Sequence, residues 1–221
     1  MQAALYMLAV RELQPEYRIS PKETRFRTAV RRLEFDLLRH LRREADRGGS
    51  FEPSELELAF GMPNGDLPAL ELGDGVRVRG KIDRVDTWNG YALVSDYKSG
   101  RKGYPVARWD EDRRMQAALY MLAVRELRGL EPAGGVYVPL ADRKDGRPRG
   151  LLLDEVVGEL GAGVVATDVK DADGVREELD RALERVREIA GRIRSGEVRP
   201  CPDTCAWNGG CSYPSICREE R

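Results

Sequence analysis

The chain has 221 residues, of which 34% are charged, yet its formal net charge is only −1. That length supports one well-packed domain with a small appendage, and the charge balance excludes a globally basic nucleic-acid binder, so any DNA contact must come from a local patch. No run approaches the length of a membrane span, the apolar opening MQAALYMLAV lacks a basic leader and a cleavage site, and four cysteines crowded into the last 21 residues favour a metal site over disulfides in a cytoplasmic protein.

Residues 1 to 13, MQAALYMLAVREL, recur unchanged at 115 to 127. Solenoid repeats come at regular periods, which a single distant recurrence is not. Residues 1 to 14 read either as an artefact of expression or gene assembly, set aside from fold reasoning, or as a duplicated amphipathic helix that docks on a groove or swaps between protomers. Residues 21 to 47 read as a helix, with Ser20 as N-cap, Pro21 at the first position and Glu23 completing a capping box. Phe26, Val30, Leu33, Leu37 and Leu41 form its core stripe, and His40, the only histidine, lies next to that stripe. Gly48-Gly49 ends the helix, and Glu55 to Phe60 alternates as a half-buried strand, with Leu56, Leu58 and Phe60 on one face and Glu55, Glu57 and Ala59 on the other. Met62 to Gly75 reads as a loop.

VRVRGKID then opens a hairpin. Asn89-Gly90 between two β-rich runs is the strongest short hairpin signal, because both turn positions need positive φ. If those two residues are the whole loop, Trp88 faces Tyr91 and Asp83 falls directly across from Asp96. Directly opposed residues share a face with Cβ atoms about 5 Å apart, and the two-residue period adds Lys98 to that face. Opposed carboxylates are a liability unless a cation sits between them. Hard oxygen ligands at this separation suit Mg²⁺ or Mn²⁺, with Lys98 where an attacking water needs orienting or a developing charge needs neutralising. A solvated hairpin with ordinary surface charges is the plain alternative. Arg77, Arg79 and Lys81 share parity with Asp83, as a cationic track for a phosphodiester backbone or as an edge-strand row that discourages aggregation. Arg101, Lys102 and Arg108 follow Lys98 in a short loop.

A helix is expected over roughly 110 to 127, with Gln116 and Tyr120 one turn apart. GGVYVPL at 134 to 140 reads as a strand, residues 141 to 153 as a basic turn leading to a short apolar strand, and 172 to 195 as a long helix. Its core positions are Val175, Leu179, Leu183, Val186, Ile189 and Ile193. Cys201, Cys205, Cys211 and Cys217 are separated by three, five and five residues. Zinc fingers show two tight knuckles, and only the first pair here is tight, whereas iron-sulfur clusters take four thiolates from irregular loops.

GKIDRVD followed by a short hairpin and DYKSG resembles the PD-(D/E)XK nuclease superfamily, in the RecB/AddB-like branch that also includes CRISPR-associated RecB-like exonucleases. The resemblance implies an α/β fold, a small mixed sheet flanked by helices. By position it implies that Asp83 and Asp96 bind the metal with the backbone carbonyl of Tyr97, and that Lys98 completes the site. MQAALY resembles the family's QxxxY motif, whose Gln and Tyr, here Gln116 and Tyr120, contact DNA or brace the site. The pattern of Pro53, Glu57 and Phe60-Gly61 resembles AddB-like proteins, making Glu57 a candidate third carboxylate beside an exposed strand glutamate. Many relatives carry a histidine upstream of the first metal Asp. His40 is the candidate, but the glycine-histidine element expected further upstream is missing and a helix-surface histidine is the alternative. CAWNGGCSYPSICR resembles the family's C-terminal cluster segment, implying a [4Fe-4S] cap with Cys201 as fourth ligand, or zinc in its place. Expected domains are a segment at 1–14, a nuclease core at 15–198 and a cysteine cap at 199–221. The expected function is metal-dependent exonucleolytic hydrolysis of DNA on single strands or duplex ends, in repair or recombination. No GxxxxGK[ST] stretch is present, so any helicase motor would be a separate polypeptide or a missing part of the gene. The competing class is a non-catalytic DNA-end-binding or scaffolding module.

Overall fold

A computed structural model describes residues 23–63, 65, 67–111, 113–142 and 144–197. The expected cap residues Ser20 and Pro21, the first copy of the repeat and all four cysteines lie outside the described residues. Helix α1, Glu23–Arg47, carries an acidic residue in its first turn and Arg47 in its last, as its dipole favours. Phe26 and Leu37 are buried and Val30 and Leu33 half-buried, but Leu41 is exposed. The expected stripe gives out where Glu44 and Arg47 take over as ionic partners.

Strand β1, Glu52–Phe60, begins earlier than expected, and its alternation fails. Phe60 is buried and Leu58 packs against the core, while Leu56 is 50% exposed. The cause is Glu57, whose φ of 57° lies in the left-handed region and breaks the two-residue period. The expected loop from Met62 to Gly75 contains a strand, β2, Leu70–Glu71, paired antiparallel with β3, Arg77–Val78. Gly73, Asp74 and Gly75 all have positive φ, and Leu72 N–H donates to Val76 O at 2.9 Å, closing a tight turn. VRVRGKID is therefore not one strand: its first part folds back onto β2, and β4, Gly80–Trp88, starts afresh.

Strand β5, Tyr91–Lys98, completes the hairpin, with Trp88 opposite Tyr91 and both Asn89 and Gly90 at positive φ. Helix α2, Gln116–Arg128, starts later than expected because Arg113 N–H donates back to Asp110 O at 3.2 Å and Arg114 N–H to Trp109 O at 2.7 Å, closing a turn before it. It ends at Gly129, which adopts the left-handed conformation at φ 65°. Strands β6, Glu131–Pro139, β7, Arg149–Leu153, and β8, Val169–Lys170, lead into α3, Ala172–Arg194, capped by the Asp171 carboxylate accepting from Gly174 N–H at 2.8 Å. Val175 and Leu179 are buried and Ile193 is exposed, so α3 leaves the core in its last turns.

The six-stranded mixed sheet runs β1-β4-β5-β6-β7-β8, with β5 and β6 parallel across the α2 crossover. The fold class is the expected one: a mixed sheet with helices on both faces. On one face Val85, Val94, Tyr137 and Leu151 pack against Ala117, Met121 and Val124 of α2 and Val175 and Leu179 of α3. On the other, Leu93, Val136, Val138 and Leu152 form a smaller cluster. There Glu44 and His40 of α1 reach Arg84 and Tyr97.

Candidate active site

The central feature is a fork. β4 and β5 pair from Trp88↔Tyr91 to Arg84↔Ser95, and there the ladder stops. Beyond that rung β4 stays with β1 and β5 stays with β6. The next residues of the two strands are Asp83 and Asp96, as the two-residue turn requires. In the gap Asp83 Oδ2 accepts a hydrogen bond of 2.8 Å from Tyr97 N–H. A strand residue directs its N–H and C=O to the same side. The neighbouring Lys98 carbonyl accepts from Leu140 N–H on the β6 side, so the Tyr97 carbonyl faces the fork.

Asp96 is only 4% exposed, with burial the main cause pushing its carboxyl above the usual range and the Lys98 ammonium the main opposing one. Burial likewise pushes Asp83 up, with the Glu57 charge adding to it, while the Tyr97 N–H opposes. Asp83 and Asp96 share strand parity with Val85 and Val94, which pack against α2, so both lie on the α2 side of the sheet; after burial, both charges push the Tyr120 hydroxyl up. Asp96 Oδ2 meets the Lys98 ammonium in a close ion pair.

Lys98 is held in turn from α2. Its Nζ donates to Gln116 Oε1 at 2.9 Å, Gln116 Nε2 donates to Tyr120 OH at 2.8 Å, and that hydroxyl donates to Lys81 O at 2.8 Å. Gln116 and Tyr120 thus tie the amine on β5 to the backbone of β4 across the fork. Two residues that sequence reasoning missed support this chain. Tyr137 stands beside Asp96 in the parallel register, places its ring 5.4 Å from Lys98 Nζ and accepts from Ala117 N–H at 3.1 Å. Arg84 grips the back of the fork. Tyr137 carried no local signal, because only the β5–β6 register brings it near; Arg84 stood in the GKIDR motif itself.

Other expected residues are distributed differently. Glu57 falls opposite Asp83 in the β1–β4 register, but its carboxylate makes an ion pair with Lys81. Among the described residues no three Asp, Glu, His or Cys side chains converge as a ready metal cage. Arg77, Arg79 and Lys81 are exposed, yet they do not form one row, because Arg77 belongs to β3 and Lys81 to β4; nor is β4 an edge strand. Arg101 and Lys102 are exposed beside Lys98 and, with Ser99, Gly100 and Tyr104, line a cavity of about 440 Å³. His40 is corrected on both counts. It is a buried residue rather than a helix-surface one, and it meets the Tyr97 ring edge-on at 5.3 Å on the face opposite Asp96 and Lys98. Burial is the main cause holding its imidazole below the usual range. The structure does not bring it to the carboxylates.

The donor set fits a hard divalent cation: two carboxylates and a carbonyl around a gap, with the buried Asp96 Oδ2 already meeting one cation, the Lys98 ammonium. Asp83, Asp96 and the Tyr97 carbonyl are the groups that would hold it. A mixed sheet forked over D…DYK, with a lysine braced from the following helix, defines the class, and a sequence profile of the PD-(D/E)XK nuclease superfamily matches residues 1–218. The chain belongs to that superfamily. It is similar to proteins named as one of the subunits of an ATP-dependent helicase/deoxyribonuclease: 28% identical over 75% of this chain in Symbiobacterium thermophilum, 31% over 78% in Clostridioides difficile and 29% over 96% in Moorella thermoacetica. It spans only 18%, 16% and 24% of those relatives. No described helix is long and apolar enough to cross a membrane.

Proposed function

We propose that the protein is a divalent-metal-dependent deoxyribonuclease, acting as an exonuclease on single strands or duplex ends in DNA repair or recombination. The observation that carries this reading is the fork, where the two-residue turn sets Asp83 against Asp96 and α2 fixes Lys98 between them and solvent. Asp83, Asp96 and the Tyr97 carbonyl would hold Mg²⁺ or Mn²⁺, which would supply charge neutralisation at the scissile phosphate and activation of a water. Lys98 orients the attacking water and stabilises the charge that develops on phosphorus oxygens. Gln116 and Tyr120 hold the amine in place. Glu57 adds a third carboxylate once its ion pair with Lys81 opens. Arg77 and Arg79 on one side of the fork, with Arg101 and Lys102 on the other, receive the backbone phosphates.

Three further assignments belong to this reading. Cys201, Cys205, Cys211 and Cys217 hold a [4Fe-4S] cluster that staples a C-terminal cap at 199–221 to the 15–198 core, with zinc as the alternative. Visible absorbance with iron and sulfide analysis tests it, and stoichiometric zinc without iron overturns it. Residues 1–14 are either an artefact of expression or gene assembly, which an intact mass lacking them would establish, or a duplicated amphipathic helix that docks on the core or swaps between protomers. The relatives' names point to a helicase partner.

The test of the nuclease reading is degradation of labelled single-stranded DNA with Mn²⁺. Lys98→Ala is expected to lower the rate by on the order of a hundredfold or more, with circular dichroism unchanged. A variant that cuts at the wild-type rate contradicts the mechanism. Unmodified protein that binds DNA but never cuts it, whichever divalent cation is supplied, identifies a scaffolding module instead.

A further inference from the structure

The back of the fork carries a second, closed constellation. Arg84 lies on the last shared rung of β4 and β5, next in sequence to Asp83 but directed to the α1 face. Its Nε donates to Asp86 Oδ1 at 2.5 Å, and its Nη1 donates to Glu44 Oε2 at 2.7 Å and to Tyr97 OH at 3.3 Å. Arg47 holds the other oxygen of Glu44 at 2.7 Å, and the His40 ring closes on Tyr97 from the side. Asp86 is buried, and its carboxyl is pushed up chiefly by that burial, with Arg84 opposing.

A buried ionic cluster contributes little net stability, since desolvation offsets most of the attraction. What it fixes is geometry. Here the geometry concerns both arms of the fork: β4 through Arg84 and Asp86, and β5 through the Tyr97 hydroxyl. Tyr97 has two ends, its hydroxyl gripped behind the sheet and its N–H set on Asp83 in front.

We propose that Arg84 is a positioning residue that staples the diverging strands from behind, and through Tyr97 sets the spacing of the Asp83 and Asp96 cradle. The inference rests on the nuclease reading for what the cradle holds, and not for the staple itself. Without the staple the fork opens by the freedom of the Tyr97 backbone. The Asp83 carboxylate then loses its fixed donor, and the cation site loses its ligand spacing. Partners that orient ligands in this way change metal affinity by roughly 10–100-fold when removed.

Tyr97→Phe removes only the hydroxyl, and Arg84→Lys keeps the charge while losing the multiple donors. Two readouts on the full chain decide the matter: hydrogen exchange of the backbone amide at position 97, and Mn²⁺ affinity by calorimetry without DNA. Tyr97→Phe is expected to speed exchange at position 97 while the Val94 amide keeps its protection, and to weaken Mn²⁺ binding roughly tenfold. Cleavage is expected to return towards the wild-type rate at saturating Mn²⁺. Arg84→Lys is expected to do more of the same; if it does not fold, Tyr97→Phe alone carries the test. Unchanged exchange and unchanged Mn²⁺ affinity in the folded variants overturn the staple and leave the nuclease reading intact. Should the unmodified protein bind no Mn²⁺, the metal reading fails, and exchange at position 97 still decides for or against the staple.

Discussion

Asp83 concentrates the conflict at this site. Its carboxyl is pushed above the ordinary range, first by burial and then by Glu57, so folding favours its neutral form. A carboxyl raised in the folded state contributes stability that is present below its unfolded pKa and lost as pH rises through the folded value, so at neutral pH its charge burdens the fold. Asp83→Asn keeps an acceptor for the Tyr97 N–H and removes that charge. The metal-free variant is expected to melt higher than the wild type at pH 7, by roughly 2–4 °C for each kcal/mol relieved, with no nuclease activity. The gain should shrink as pH falls and Asp83 takes up its proton. Melting curves across pH check this: an Asn variant that melts lower at pH 7 would mean that Tyr97 and the lysines outweigh burial. Lys98 is engaged with Asp96 and Lys81 with Glu57.

At the scale of elements, the fork depends on how tightly the rest of the sheet is zipped. β6 and β7 approach so closely at Gly150 that an added Cβ would lie 2.0 Å from Gly135 O, a backbone atom that cannot turn aside. Gly150→Ala is expected to cost about 3 kcal/mol, read as a lower urea midpoint with an unchanged slope; a midpoint at the wild-type value would mean that the pair can splay. The same scale explains what was legible in the sequence. Asn89-Gly90 is a local signal, and a two-residue loop leaves one register, so the pairing from Trp88↔Tyr91 to Arg84↔Ser95 followed from counting, while the end of the ladder one rung short of Asp83 and Asp96 did not. The left-handed Glu57 did not, because no residue-type pattern marks a glutamate for positive φ, and it turned the expected inward Leu56 to solvent. Tyr137 and His40 were equally hidden. One depends on the parallel register across α2 and the other on which face α1 covers, and both are long-range facts. The division of Arg77 from Lys81 was partly visible in Gly73-Asp74-Gly75, a turn strong enough to fold the chain back before β4.

Over the whole molecule, a net charge of −1 does not draw DNA to this chain, so on the proposed nuclease reading affinity comes from the few cations around the fork. Each phosphate neutralised on a single strand adds about 0.7 to the slope of log affinity against log salt. The double variant Arg101→Ala/Lys102→Ala is therefore expected to weaken binding and to flatten that slope by about 1.4, measured by fluorescence anisotropy on a single-stranded oligonucleotide. An unchanged slope would move the DNA path elsewhere. Kinship has a limit at the same scale: the chain covers 16% to 24% of the relatives named above, so the activities in their names are broader than the fork alone accounts for.

The central claim is that a divalent cation belongs between Asp83 and Asp96. Anomalous diffraction from crystals grown with Mn²⁺ tests it most directly. The account predicts a peak in the fork, bound by both carboxylates and the Tyr97 carbonyl, with Lys98 drawn off Asp96 towards solvent. Carboxylates still paired with Lys98 and Lys81, and Mn²⁺ absent from the fork or bound elsewhere on the chain, would contradict it.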